Sequence, residues 1–432
     1  MSSSIPVRVA SRLERIPLNV FAYFSALAVE NGAVNLGQGF PTFGTPDFVA
    51  KAAKKALSDG MHHQYTRPAG DPLFGEHVSS MYSDMFGGNL NGATDVVVYA
   101  GAQQGINCAL NAFCEPGDDI VVIEPCFDAY LKVSSMLDVN VVGVPLRRET
   151  TCIDALSAKD FRIDIDELRS KITDKTKMLV LNTPQTFLGK AYSQSELQDI
   201  ADVVRENEHL VVLSDEVYEF MCFEGTDAHR RFASLPGMFD RTISLFSAGK
   251  TFSCTGWRCG YSIAPEHFSK PLADAMANSA FCAPHPLSRG VTLAFEHVES
   301  EARSYFFDLQ RSLETKSEAL RSALSETALR PVTPEGGYFM MADCSRIRDA
   351  VAAPPSGTAA TDQRDWKFCE WMTKEVGVVA IPASSAFSEG TRSAMGEDEF
   401  YVRFAFCKSD EELEEASKRL LAASERYSFF AK

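Results

Sequence analysis

Seven short apolar runs, alternating with helix-like or turn-like sequence, limit what this chain can fold into more than any other feature. They are "DVVVYA" (95–100), "DIVVIEP" (119–125), "VNVVGVPL" (139–146), "KMLVLNTP" (177–184), "LVVLSDEVY" (210–218), "RTISLFSAGK" (241–250) and "RCGYSIAP" (258–265). Several are continuous and β-branched, as in strands buried on both faces of a mostly parallel sheet. The stretch "SQSELQDIADVVRENE" (193–208) opens on Ser193 with Glu196 three residues later, a capping-box start for a helix. Strands alternating with helices predict an α/β, doubly wound layout.

At 432 residues the chain exceeds one ordinary core. We expect a large domain over 47–320 and a smaller α+β domain built from 1–46 and 321–432. The long helical stretch "SYFFDLQRSLETKSEALRSALSET" precedes "PEGGYFMMADCS" and "YVRFAFCKS", which read as strands of the smaller unit. Between those two, "DAVAAPPSGTAATDQRD" (349–365) reads as a surface loop by its Pro, Gly and Ala content.

The formal net charge of −16 argues against nucleic acid or an anionic membrane as partner, because both select basic surfaces. No apolar run approaches the ~20 residues that span a bilayer. Eleven cysteines without a C-x-x-C pair read as reduced thiols in a cytosol-like compartment. The N-terminal stretch has Ser and Arg and few acids, a composition shared with mitochondrial presequences; cytoplasm is the expectation. His62 and His63 are adjacent, and in a strand they would point to opposite faces, so no metal site is expected.

In an open α/β sheet, ligands bind beyond the carboxyl ends of the strands. Four polar features fall at such ends. "YAGAQQG" (99–105) is either an ordinary strand-to-helix turn or an anion cradle of backbone N–H groups. Asp215 and Tyr218 end another run; a buried carboxylate there caps a helix, meets a cation, or holds a ligand. "LNTPQTFLGK" (181–190) ends a third. Lys250, among Ser, Ala, Gly and Thr in "SAGKTFSCTGWRCGY", has no charged neighbour in sequence. Packed among small residues, its ammonium loses solvation, its pKa falls, and the neutral amine is a Schiff-base nucleophile.

That lysine stretch resembles the signature of class I (fold type I) pyridoxal-phosphate aminotransferases. "NLGQGFP", "QYTRPAGDP", "EPCFDAY", "SDEVY", "ASLPGM" and "YVRFAF" follow in the order of the kynurenine–oxoglutarate transaminase, or glutamine transaminase K, branch. The resemblance runs from about Arg12 to the end. It implies pyridoxal 5'-phosphate joined covalently to Lys250, which then shuttles a proton between substrate and cofactor. It implies Asp215 at the pyridine nitrogen, Tyr218 at the phenolic oxygen and Phe127 stacked on the ring. Ala102, Gln103, Ser247 and Arg258 would hold the phosphate, and Tyr65 would reach that of the neighbouring subunit in a homodimer. Arg403 would grip the substrate carboxylate, with Gly39 and Asn182 beside it.

The chain departs from the family in places. The usual N-x-P-x-N-P-x-G-K reads "NTPQTFLGK" here, with Thr186 for the second Asn and Phe187 for the following Pro. Thr186 can still donate to the cofactor's phenolic oxygen, but with a shorter, branched side chain. Phe21 stands where the branch often has Trp, and Cys282, beside Phe281, where it often has His. An apolar, aromatic-lined pocket is expected, with Phe21 and Phe281 as walls, suited to kynurenine, glutamine, phenylalanine or methionine rather than acidic substrates. The expected activity is ping-pong transfer of an amino group from such an amino acid to a 2-oxo acid. Two alternatives are a cysteine-S-conjugate β-lyase on the same site and a catalytically impaired cofactor-binding relative.

Overall fold

The computed structural model describes residues 8–88, 90–149, 156–225, 229–351, 359–394 and 400–432. All seven apolar runs become strands of one sheet: β1 Val96–Tyr99, β2 Asp119–Glu124, β3 Asn140–Pro145, β4 Thr176–Asn182, β5 Val211–Asp215, β6 Thr242–Ser247 and β7 Gly260–Ile263. Their order is β1-β7-β6-β5-β4-β2-β3. Only β7 runs antiparallel to its neighbours. The sheet is buried on both faces, which explains runs without polar alternation.

Register brings the strand ends into line. Asn182 pairs with Asp215, and Ser247 and Tyr99 both pair with Gly260. The carboxyl ends of β1, β4, β5 and β6 therefore share one edge. Helix α1 (Ala102–Phe113) starts there from β1, and α2 (Asp128–Met136) follows β2. Helix α3 (Gln194–Glu206) carries the expected capping box: the Glu196 amide donates to Ser193 Oγ at 3.3 Å, and the Ser193 amide donates to the Glu196 carboxylate at 3.0 Å. The run 241–250 does not stay extended to its end. After Ser247 the chain turns into the short helix α4 (Ala248–Thr251), so Lys250 sits one turn beyond the strand.

After the long helix α5 (Tyr305–Ser325) come β8 (Arg330–Thr333), β9 (Phe339–Asp343), β10 (Ile381–Pro382) and β11 (Tyr401–Ala405). They form a second sheet in the order β10-β11-β9-β8, extended by the short strand Leu156–Ser157 beside β8. Arg403 pairs with both Met341 and Ile381, which places it mid-strand inside this sheet. Helix α6 (Asp410–Arg426) packs on α5.

Two local expectations fail. His62 and His63 lie in a single helical turn, Gly60–His63, which Asp59 caps, and not in a strand. The region expected as a loop over 349–365 holds a turn at Ala360–Asp362 and the start of a helix at Arg364; its residues 352–358 lie outside the described ones. The composition there marks a helix boundary as much as a loop. The ten described cysteines are free thiols. Among the described residues, no helix is long and apolar enough to cross a membrane.

Candidate active site

A cavity of about 370 Å³ lies at the shared strand edge, between the two sheets. Twelve of the fifteen residues singled out in sequence line it: Phe21, Gly39, Ala102, Gln103, Phe127, Thr186, Asp215, Tyr218, Ser247, Lys250, Arg258 and Arg403.

Lys250 Nζ donates to the Gly39 carbonyl at 2.6 Å and lies 5.0 Å from the Tyr338 ring centre. Burial pushes its pKa down to about 8; Arg403 and Arg258 add to this, while Cys407 and Asp215 oppose it. Roughly a tenth of the amine is therefore neutral at pH 7, far more than for an ordinary lysine, and neutral amine is the state that attacks a carbonyl. Asp215 is 2% exposed, and burial raises its pKa to about 6. The carboxylate accepts from the Tyr130 hydroxyl at 2.5 Å and from the Val217 amide at 3.4 Å. Tyr130 was missed in sequence, although it lies in the quoted "EPCFDAY", three residues past Phe127 at helical spacing. Burial pushes the pKa of the Tyr218 hydroxyl well up and keeps it protonated, with the nearby Thr186 hydroxyl a small opposing influence.

At the other end, Gly101 has φ +89, and a Cβ there would meet Arg258 Nη2 at 2.3 Å. Only glycine lets the guanidinium approach the start of α1 this closely. The first-turn amides of α1, Ala102 and Gln103 among them, have no intrahelical acceptor. Together with Arg258 and Ser247 they make a cationic, donor-rich corner suited to a phosphate.

Arg403 is 1% exposed, and among the described residues no carboxylate forms a salt bridge with it. Its Nη2 donates to the Gly37 carbonyl at 2.9 Å, and its Nε has no partner. Phe339, Phe187 and Phe21 lie with ring centres 3.9, 4.3 and 5.3 Å from the guanidinium carbon. Burial lowers its pKa to about 10. A desolvated guanidinium with open donors is a site for a planar anion.

One segment of backbone connects both cations. Gly37 and Gly39 offer their carbonyls to Arg403 and Lys250, Leu36 accepts from the Ala405 amide at 2.6 Å, and Phe40 accepts from Lys408 Nζ at 3.1 Å. Gly39 was expected to admit substrate. It lines the cavity, and its Cα faces the Phe339 ring, whose Cζ would lie 2.3 Å from an added Cβ.

A family model described as aminotransferase class I and II matches residues 31–420. The chain belongs to that family. This aminotransferase is 38% identical over 413 residues to a kynurenine–oxoglutarate transaminase of Dictyostelium discoideum, covering 93% of each chain. Its structure superposes on Bna3p of Saccharomyces cerevisiae with a TM-score of 0.87 at 30% identity, covering 96% of this chain and 99% of that one. It superposes on the Escherichia coli methionine aminotransferase YbdL with a TM-score of 0.81 at 26% identity, covering 96% and 100%. Enzymes of this family and fold depend on pyridoxal phosphate.

Three expected site residues of this aminotransferase lie outside the cavity. Asn182, expected at the substrate, sits behind it: its amide donates to the Asp215 carbonyl at 2.9 Å, and its Oδ1 accepts from the Thr186 amide at 2.7 Å. It fixes the two residues that do face the cavity, since a buried amide satisfies itself on nearby backbone. Tyr65, 81% exposed, and Phe281, 50% exposed, meet edge-on at 5.0 Å on the surface. Phe281 thus forms no wall of its own chain's cavity. Phe339 and Tyr338, conversely, were missed. The Tyr338 hydroxyl donates to the Lys250 carbonyl at 2.9 Å. Both stand in "PEGGYFMMADCS", where only the apolar strand pattern was read.

Proposed function

We propose that this aminotransferase uses pyridoxal 5'-phosphate to take the amino group of an aromatic, sulfur-containing or amide amino acid and pass it to a 2-oxo acid. The observation that carries the reading is the pairing, across one cavity, of an amine made partly neutral by burial with a buried arginine that has no salt bridge among the described residues. The donor set suits the cofactor: a buried carboxyl for the ring nitrogen at Asp215, an aromatic wall at Phe127, and the corner of Ser247, Arg258 and the α1 amides for the phosphate. When bound, pyridoxal phosphate supplies an electron-poor ring that accepts the electron pair left when the substrate Cα–H bond breaks.

The residues of the chain do the remainder. Arg403 takes the substrate carboxylate and so fixes where Cα lies. Lys250 Nζ removes the proton from Cα and would carry it to the cofactor carbon bound to the amino nitrogen. Asp215 keeps a proton at the ring nitrogen, and Tyr218, with Thr186 beside it, supports the phenolic oxygen. Phe21, Phe339 and Phe40 give the substrate side chain an apolar surround, which favours kynurenine-, phenylalanine- or methionine-like donors over acidic ones. The names of the relatives point the same way.

Tyr65 projects from the surface with an apolar neighbour, consistent with a homodimer in which it reaches the phosphate of a second copy. We place the large unit at 47–320, the small one at 1–46 with 321–432, and the enzyme in the cytoplasm. Mixing the cofactor-loaded protein with L-phenylalanine or L-glutamine should release the matching oxo acid stoichiometrically without an acceptor, and catalytically once a 2-oxo acid is added. No oxo acid at millimolar substrate refutes the reading. Pyruvate release from a cysteine S-conjugate without acceptor would show β-elimination instead.

A further inference from the structure

Phe187 stands where the family pattern has proline, so the chain has exchanged a rigid turn residue for a large ring. That ring is 1% exposed and does not line the cavity. It sits on Arg403, with its centre 4.3 Å from the guanidinium carbon, and Phe339 is a second ring at 3.9 Å. Both are inside the ~6 Å over which an aromatic face attracts a cation.

An arginine can be held in place by acceptors or by rings, and the two differ in what remains free. A carboxylate or amide oxygen uses up N–H donors. An aromatic face attracts the cation through its quadrupole and leaves the N–H edge unspent. Among the described residues, one donor is taken, by the Gly37 carbonyl, while Nε remains without a partner. The neighbouring Thr186 points its hydroxyl to Tyr218, so it does not restrain the guanidinium either.

We propose that Phe187 is a positioning residue for the substrate carboxylate: with Phe339 it fixes the Arg403 guanidinium by stacking, so that the donors stay open to the anion. The proposal rests on reading Arg403 as the carboxylate grip. It also gives the departure from proline a purpose within the site, where proline at this position could offer no π face.

The test compares Phe187→Leu, which keeps apolar bulk without a π face, with Phe187→Tyr, which keeps the face. In the cofactor-loaded enzyme, Phe187→Leu should weaken binding of 3-phenylpropionate by about 3- to 20-fold and leave 3-phenylpropanamide within twofold. KM for both amino acid and oxo acid should rise by a similar factor, with kcat within threefold. Phe187→Tyr should restore carboxylate binding to within threefold of the parent. Equal loss for carboxylate and amide, no loss at all, or a tyrosine variant that behaves like leucine would overturn the proposal. Should either variant fail to fold, trifluorophenylalanine at 187 weakens the ring face while preserving its shape, and the same carboxylate-selective loss is required. The binding measurements need no turnover. A parent protein that binds phenylpropionate through Phe187 yet makes no oxo acid therefore refutes the transaminase reading and leaves this one intact.

Discussion

The two ends of the cavity are built on opposite electrostatic plans. At the edge of the large sheet each charged group already has a protein partner: Asp215 has the Tyr130 hydroxyl, and Lys250 has the Gly39 carbonyl. Burial there pulls both groups toward their neutral forms. In the small sheet Arg403 stays a cation, with one carbonyl, three rings and an orphaned Nε. A site for chemistry needs groups that gain and lose protons near neutral pH, and a site for recognition needs a permanent charge. On the proposed function, the chain separates these tasks onto different sheets.

The comparison breaks most visibly at Lys250. Lys250→Ala should lower turnover on the order of 10³-fold or more, because it removes both nucleophile and base; retained oxo-acid production would show that the proton moves elsewhere. Arg403→Lys should act through recognition alone. A point charge cannot reproduce the planar fork, so KM for amino and oxo acids should rise roughly 10- to 100-fold with kcat within a fewfold. An unchanged KM would remove the recognition half of the contrast.

A stability measurement sharpens it further. The folded Lys250 has its pKa near 8, below the usual value, so between pH 8 and 10 the unfolded chain holds a proton that the folded chain has shed. The cost of burying the cation is thus fully present below pH 8, and stability should rise with pH above it. Lys250→Met in the cofactor-free protein should therefore gain about 1–3 kcal/mol at pH 7, a gain that shrinks toward pH 10 in denaturant unfolding. A gain independent of pH would locate the effect in packing. The smallest change is Thr186→Asn, which restores the family amide beside Tyr218 and should tighten cofactor retention by a fewfold, read from dissociation on dilution. Looser retention would mean that the hydroxyl next to Tyr218 is the better partner here.

The same two ends differ in how readily the sequence reveals them. The large sheet is legible because its strands are continuous apolar runs and its functional residues fall where those runs stop, so Asp215, Ser247 and Lys250 could be placed from local pattern. Arg403 could be named from its motif but not understood, because its surroundings come from Phe21, Phe187 and Phe339, far apart in the chain. Tyr130 and Tyr338 hold Asp215 and Lys250 by hydrogen bonds that span 85 and 88 residues of sequence, so neither partner shows in the local pattern around the group it holds. Asn182 is expected at the substrate because the motif includes it; its amide is consumed by the Asp215 carbonyl on the adjacent strand. His62 and His63 are weighed as strand neighbours in sequence, but they lie in the Gly60–His63 turn because Asp59 caps it.

The run from Leu36 to Phe40 works as a stitch between the two sheets, its alternate carbonyls sewn to an arginine on one side and a lysine on the other. Once the lysine nitrogen is engaged elsewhere, the thread is cut at Gly39 while Gly37 stays fastened. Slack in this short stretch then depends on whether the amine is free, so a backbone with no reactive group of its own can register the loading of the site, and amide exchange around residues 38–41 would make that slack visible.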